Sequence, residues 1–468
     1  MAVEAVDPPV RTRPSPEPGG GIVSGFRQAG PIAVAGLVAN GANVIVTVVI
    51  ARLLSSRGYG ELAQLNGVFL VMSMPGSAVL VGVVRRVTVL SERGFGSAIA
   101  RFVKRVHRFA IGGVAVLAAC AWLVQGTISH ALSLSDRGAV VPIVTAGGFW
   151  LALSIDRGLI QARRAYRAFA ANLLVEGGVR MVFVLVLTGA GLGVTGACVG
   201  VLVGEACAAV HARWESGRKW AHVATVAVGP EEHDLAAGAG PRRHLAIDVT
   251  VAFVCLAFLA LLQNVDVILL GREAPRQSGA YAAISVAAKA LIFAAIALGG
   301  YLLPEATIRW HRGEHALRPL ATTALIVAAP AVVLFAAAIA APRLLIRLAF
   351  GDRLVGAAGS LKTLVLAMIC LCVTVLLTNY LLGAGKRWIA PVLVLGTVGA
   401  GTAVWAAHGV PSQTAHADLL VQAALALVVG VGFVGSHRAF RHRPGIESLG
   451  PVPVGVLVTG SKGPEGRP

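Results

Sequence analysis

The sequence contains few charged residues. Asp, Glu, Lys and Arg make up only 13% of its 468 residues, whereas hydrophobic residues make up 56%, and the mean hydropathy is +0.78. A water-soluble domain needs more charge than this to cover its surface. The composition therefore excludes an ordinary soluble protein and predicts an integral membrane protein.

Acidic residues are scarcer than basic ones, with 22 Asp and Glu against 40 Lys and Arg, for a net charge of +18. Such a charge can indicate a nucleic-acid partner. Here the basic residues flank apolar segments and do not line one helix or an aromatic platform, so no nucleic-acid partner is expected. Membrane lipids with anionic headgroups are the expected partners of these charges.

Cysteine is also scarce, and all six cysteines lie in predicted membrane spans, which predicts small apolar core residues and no extracellular disulfides. Cys370 and Cys372 point to different faces of one helix, so no metal site is expected there. The G-x-x-x-x-G-K-[ST] phosphate loop is absent from the sequence, and we expect no cofactor.

Two motifs match known patterns literally. The segment from His311 to His315 fits H-x-x-E-H, but it has a central glycine and no evident further zinc ligand, so a solvated loop is expected. The segment from Gly191 to Gly196 fits G-x-G-x-x-G, but it joins two apolar runs of spanning length. It predicts a tight hairpin between two membrane helices.

Apolar stretches of roughly 20 residues recur along the chain with short polar breaks, and each is long enough to cross the bilayer as a helix. Runs that are apolar on every side argue against a β-barrel. The predicted helices lie near residues 30–54, 62–84, 109–126, 139–160, 168–189, 192–210, 246–271, 279–302, 319–341, 359–383, 388–407 and 417–436. The predicted fold class is thus an all-α integral membrane protein with about twelve transmembrane helices.

Most basic residues fall on one side of this arrangement when both termini are placed in the cytosol. The predicted organisation is a disordered cytosolic tail (1–28), an N-terminal six-helix lobe (29–213), a cytosolic linker (214–243), a C-terminal six-helix lobe (244–437) and a second cytosolic tail (438–468). The expected location is the cell membrane, either plasma or inner.

Ionisable residues at membrane depth mark the candidate functional site, because each is costly there unless it faces partners or water. Glu176 and Arg180 lie four apart on one helix and can pair. Lys289 can reach Asp266 on the preceding helix. Asn264, on the same helix as Asp266, is a further candidate for a substrate-binding residue. Three other acidic residues, Asp156, Glu205 and Asp248, are expected to be hydrated near cytosolic helix ends.

The two halves resemble one another weakly. The segment from Val49 to Leu62 ends in RGYGEL, the segment from Val267 to Ala283 ends in SGAYAA, and each precedes a long apolar run. Six helices per half give both halves the same orientation, so the repeat is predicted to be parallel.

Five stretches carry a family resemblance: IARLLSSRGYGELAQLNGVFLVMSMPG, RGLIQARRAYRAFAANLLVEGGVRM, GLGVTGA, LLQNVDVILLGREAPRQSGAYAAISVAAKALIF and LLTNYLLGAGKR. With them the chain resembles the polysaccharide or lipid-linked oligosaccharide flippases of the multidrug/oligosaccharidyl-lipid/polysaccharide exporter superfamily. The resemblance implies two six-helix lobes around a central cavity that opens alternately to either side. It matches Asp266 to the family's acidic residue in helix seven.

The function implied by this resemblance is transport, not enzymatic catalysis. A polyprenyl-diphosphate-linked oligosaccharide would move to the outer leaflet for cell-surface polysaccharide synthesis, with a proton or sodium as the coupling ion and glycan-assembly proteins as partners. Lipid II is a poor candidate because the fourteen-helix arrangement is lacking. The alternatives are a multidrug or small-molecule exporter of the same fold and a membrane-embedded glycan polymerase or acyltransferase.

Overall fold

The computed structural model describes residues 35, 38, 42–92, 96–163, 165–220, 242–311 and 317–441, and these are almost entirely helical. Six helices belong to the N-terminal half: α1 (Ala42–Leu53), α2 (Ser56–Glu92), α3 (Gly96–Ala131), α4 (Val140–Ala162), α5 (Tyr166–Leu187) and α6 (Gly193–Trp220). The C-terminal half contains α7 (Arg242–Glu273), α8 (Ser278–His311), α9 (Leu317–Ala340), the short α10 (Pro342–Phe350), α11 (Leu361–Gly383), α12 (Ile389–Trp405) and α13 (Pro411–Arg441).

Twelve of these helices are the membrane-crossing elements. The described residues contain nine stretches long and apolar enough to span a bilayer, one of which, Tyr166–Gly217, includes both α5 and α6. Helices α1 and α12 are shorter apolar helices. The prediction of an all-helical membrane protein with about twelve spans is confirmed.

Helices α5 and α6 are joined by a single π-helical turn, Thr188–Leu192. Gly191 and Gly193 have φ values of 90° and 54°, a left-handed conformation that favours glycine because a Cβ would be strained. The glycine-rich motif is therefore a helix reversal, as predicted. The H-x-x-E-H motif lies largely outside the described residues.

Each half is organised around one central helix. Helix α4 packs against α2, α3 and α6, and α11 packs against α8, α9 and α13. Peripheral helices such as α3 and α9 leave most of their apolar surface exposed, as expected where lipid is the solvent. The prediction that the cysteines are core residues is wrong for Cys120 and Cys207, which are exposed on α3 and α6.

The two ends of the bundle are distinguished by α10. The turns after α1, α7 and α12 lie at the same end as α10, because successive spanning helices alternate in direction. We call this end the α10 end.

Of the predicted linker 214–243, the described residues at its edges extend α6 to Trp220 and begin α7 at Arg242.

The charge distribution predicts that the α10 end faces outward. Single cysteines are informative at Gln277, which is exposed in the α7–α8 turn, and at Gly217, which is exposed on α6. A cysteine at Gly217 is sterically tolerated, since no atom lies within 4 Å of its added Cβ. In sealed cells without native cysteines, an impermeant maleimide should label position 277 and spare position 217. The reverse pattern would contradict the orientation.

Candidate functional site

The C-terminal half contains a buried cluster of polar side chains between α7, α8 and α13. Asp266 is fully buried. Its Oδ1 atom lies 3.6 Å from Lys289 Nζ, and its Oδ2 atom accepts hydrogen bonds from Tyr281 (3.1 Å) and Ser285 (3.4 Å). The Lys289 ammonium also donates to Asn264 Oδ1 at 3.4 Å. The expected pairing of Lys289 with Asp266 is present, and Asn264 belongs to the same cluster.

A second carboxylate, missed at the sequence level, belongs to this cluster. Asp418 on α13 is fully buried and close enough to interact electrostatically with Asp266 and Lys289. Gln422 donates both to Asp418 Oδ1 (3.1 Å) and to the carbonyl of Leu262 on α7 (3.3 Å). Asp266 Oδ1 and Asp418 Oδ2 accept no hydrogen bond from any described residue. The cluster thus has two carboxylates and one ammonium group.

The N-terminal half contains a separate network at membrane depth. Glu176 on α5 lies 3.2 Å from Arg180 Nη2, as the i, i+4 spacing predicts, and 2.5 Å from Arg157 Nη2 on α4. Arg180 Nη1 also approaches Glu205 on α6 at 3.4 Å. Arg157 Nε donates to Asn172 at 2.7 Å. Two arginines and two glutamates therefore form one connected network between α4, α5 and α6.

Two sequence-level assignments change in this half, and one buried residue was missed. Arg157 was not a candidate at the sequence level, but within α4 it is buried and has its guanidinium over Trp150. Glu205 and Asp156 were expected to be hydrated, but both are buried. Asp156 lies 2.8 Å from His107 Nε2, so a charge near a helix end was mistaken for an interfacial one. The side chain of Asp248 lies outside the described residues.

The two candidate cationic side chains, Arg180 and Lys289, differ in how far they are exposed. The side chain of Arg180 is 22% exposed and that of Lys289 is 9% exposed, and each contacts a carboxylate. The structure thus does not place Arg180 and Lys289 together: Glu176 and Arg180 belong to the N-terminal network, and Asp266, Asn264 and Lys289 to the C-terminal cluster. A substrate anion at either base has to compete with a carboxylate.

The two halves meet closely at the α10 end, along a seam formed by α2 with the α7–α8 hairpin. A Cβ on Gly279 would overlap the carbonyl oxygen of Ser56, and one on Gly60 would lie 2.7 Å from the Gly279 nitrogen. Ser133, before α4, donates to the Arg272 carbonyl at 3.0 Å. Gly60 and Gly279 lie in the two repeat-like motifs, so the corresponding helix starts contact each other.

A depression of about 390 Å³ also opens at the α10 end, beside the α5–α6 reversal. It is lined by Leu53, Leu54, Ser55, Arg57, Gly58, Ser135, Asp136, Thr188, Gly191, Gly193 and Val194. None of the five candidate residues lines it, so this depression is not the predicted substrate site.

Comparison with solved structures identifies the architecture. A multidrug resistance MATE family transporter of the MOP superfamily, in an inward-facing conformation, superimposes with a TM-score of 0.65 at 10% identity over 86% of this chain and 96% of the other. This chain has the MATE transporter fold. An outward-facing MATE transporter of that superfamily gives a TM-score of 0.58 at 12% identity over 89% of this chain and 96% of the other.

The MATE fold is matched over nearly the whole length of these neighbours. The MATE multidrug transporter DinF-BH, solved as a complex, gives a TM-score of 0.64 at 13% identity, covering 89% of this chain and 96% of that one. No protein-family model matches the sequence. No curated protein matches it either. The neighbours therefore show the fold alone, and the substrate has to be argued from this chain's own residues.

Proposed function

We propose that the protein is an alternating-access transporter that moves a polyprenyl-diphosphate-linked oligosaccharide to the outer leaflet of the cell membrane for cell-surface polysaccharide synthesis. The observation that carries this proposal is the buried Lys289, held between Asp266 and Asn264 near Asp418 in a MATE fold. A base next to carboxylates at membrane depth can exchange partners between an ion-loaded and a substrate-loaded state.

The charge balance suggests how such an exchange would proceed. With Asp266 ionised, Lys289 is neutralised and unavailable to a diphosphate. A proton or sodium ion taken up by Asp266 removes this competition and frees the ammonium for the substrate's diphosphate. The bound ion and the bound substrate would then both favour the same arrangement of the two halves, and this couples an ion gradient to transport. Arg180, with Glu176 and Glu205, can act in the same way in the N-terminal network.

The seam at the α10 end supplies the conformational part of the proposal. Close backbone contact between Gly279 and Ser56 keeps the halves together at this end, and the higher TM-score is to the inward-facing neighbour. With both termini in the cytosol, this arrangement is the inward-facing state. Glycan-assembly proteins would receive the cargo after the seam opens.

A multidrug or small-molecule exporter is the second candidate. Asp266 and Asp418 together oppose a single lysine, and an excess of buried carboxylate suits a cationic substrate better than an anionic one. A membrane-embedded glycan polymerase or acyltransferase would require catalytic groups in a sizeable outer loop or pocket. The α7–α8 and α12–α13 connections are too short for one, and the longer α9–α11 connection is occupied by α10 and the helical turns that follow it.

Purified protein in sealed vesicles should transfer a polyprenyl-diphosphate-linked sugar between leaflets faster than vesicles without the protein. Asp266→Asn should change how this rate responds to an imposed pH or sodium gradient, and Arg276→Gln, an exposed control at the α10 end, should not. Movement of a cationic dye without movement of the lipid-linked sugar would favour the exporter. An unchanged gradient response in Asp266→Asn would contradict the coupling role.

A further inference from the structure

The short helix α10 has three distinct faces. Ile346 and Phe350, four residues apart, are buried against the protein, while Leu344 and Leu348 are 53% and 66% exposed. Residues four apart share one face of a helix, so the exposed leucines form an apolar strip that is separate from the buried one. The third face bears two arginines.

The face of α10 that bears the arginines is also exposed. Arg343 is exposed and makes no hydrogen bond or ion pair with any described residue. Arg347 contacts Asp352 through Nε at 2.5 Å, but its side chain remains 61% exposed. The i, i+4 spacing places the two arginines on the same face of α10, next to the exposed leucines.

Helix α10 is fixed to the rest of the protein at the junction between the halves. Arg52, at the end of α1, donates from Nη2 to the Leu348 carbonyl at 2.8 Å, and Arg353 donates back to the Arg52 carbonyl at 2.6 Å. Phe350 lies 6.2 Å from the ring of Tyr59 on α2. These contacts present the exposed faces in one defined orientation.

We infer that the exposed face of α10 binds anionic phospholipid of the leaflet at that end. A short helix with an apolar strip beside arginines is suited to the interface, where the leucines enter the acyl region and the guanidinium groups meet phosphates. The arginines supply the complementary charge, with bidentate geometry toward phosphate oxygens. The leucines and the arginines lie on one fixed helix, so they contact the same lipid. The arginines then select that lipid by its headgroup charge.

A fluorophore on a single cysteine at position 344, in the full chain without its six native cysteines, reports on this contact. In vesicles, quenching of the fluorophore by brominated lipids gives their relative binding constants. The constant for phosphatidylglycerol should be roughly threefold or more above that for phosphatidylcholine. Arg343→Gln/Arg347→Gln should bring the ratio to about one, and Arg343→Lys/Arg347→Lys should keep most of the preference, because charge drives it. High salt should weaken the preference.

Two variants keep the test specific. Arg276→Gln removes another exposed arginine at the α10 end and should leave the ratio unchanged, and an unaltered size-exclusion profile shows that each variant is folded. Equal quenching by both lipids in the unaltered chain would overturn the inference, as would an undiminished preference in Arg343→Gln/Arg347→Gln. Preferential displacement of both phospholipids by a trace of polyprenyl diphosphate would assign the surface to the cargo instead.

Discussion

Replacing Gly279 with valine is expected to open the seam at the α10 end. The added side chain meets the Ser56 carbonyl, which is backbone and cannot rotate away. Overpacking of this kind costs about 1–3 kcal/mol, which lowers the closed population roughly 5- to 150-fold relative to the open one. In the proposed alternating-access cycle the seam has to close again in every turnover, so Gly279→Val should also lose most of its transport.

Opening can be measured at Gln64, which is buried on α2 against Gly271 in the seam. A single cysteine at position 64 should react with a water-soluble maleimide roughly 5- to 150-fold faster in Gly279→Val, in proportion to the open population. The matched control is Gly82→Val on the same helix, where no atom lies within 4 Å of an added Cβ. An equal acceleration by both substitutions would show general loosening of α2 and contradict a closing role for Gly279.

Replacing Arg157 with methionine is expected to destabilise the N-terminal half strongly. Arg157 is 3% exposed, and its loss leaves the buried Glu176 and Asn172 without their closest partner. Breaking a buried ion pair from one side costs about 3–5 kcal/mol. Thermal unfolding in detergent, followed by fluorescence-detected size exclusion, should show a large decrease in Tm and low abundance in the membrane.

A double variant tests whether the ion pair between Arg157 and Glu176 is what stabilises this half. Arg157→Met/Glu176→Gln removes both charges and should recover much of the lost stability, while Arg180 retains Glu205. Arg213→Met removes an arginine that is 53% exposed and 3.8 Å from Asp156, so its effect should stay within about 1 kcal/mol. If the double variant is no more stable than Arg157→Met, the pair is not what stabilises this region.

The twelve spans could be predicted from the sequence because burial in lipid imposes long apolar runs with polar ends. The pairing of Glu176 with Arg180 followed from helical spacing, and the contact of Lys289 with Asp266 followed from the lean of helical side chains toward the helix N-terminus. Contacts between helices distant in the sequence leave no such local signal. Asp418 was missed because it lies near the start of the predicted helix 417–436, whereas α13 begins earlier, at Pro411.

Arg157 was missed in a similar way. It lies near the end of the predicted helix 139–160, just before a group of basic residues, so nothing local marks it as buried. In the structure α4 continues to Ala162 and Arg157 turns inward toward α5. Gly60 and Gly279 were noticed only as parts of a weak repeat, since nothing in a single sequence shows that two glycines face one another across an interface.

The central claim is that the two ends of the bundle open in alternation. Spin labels at Arg137 and Gln277 span the halves at the α10 end, and labels at Arg167 and Arg387 span them at the other end, all at exposed positions. Distances measured by pulsed electron resonance across a pH or sodium change, with and without lipid-linked sugar, should lengthen at the α10 end as they shorten at the opposite end. Distances that stay constant, or change in the same direction at both ends, would contradict alternating access.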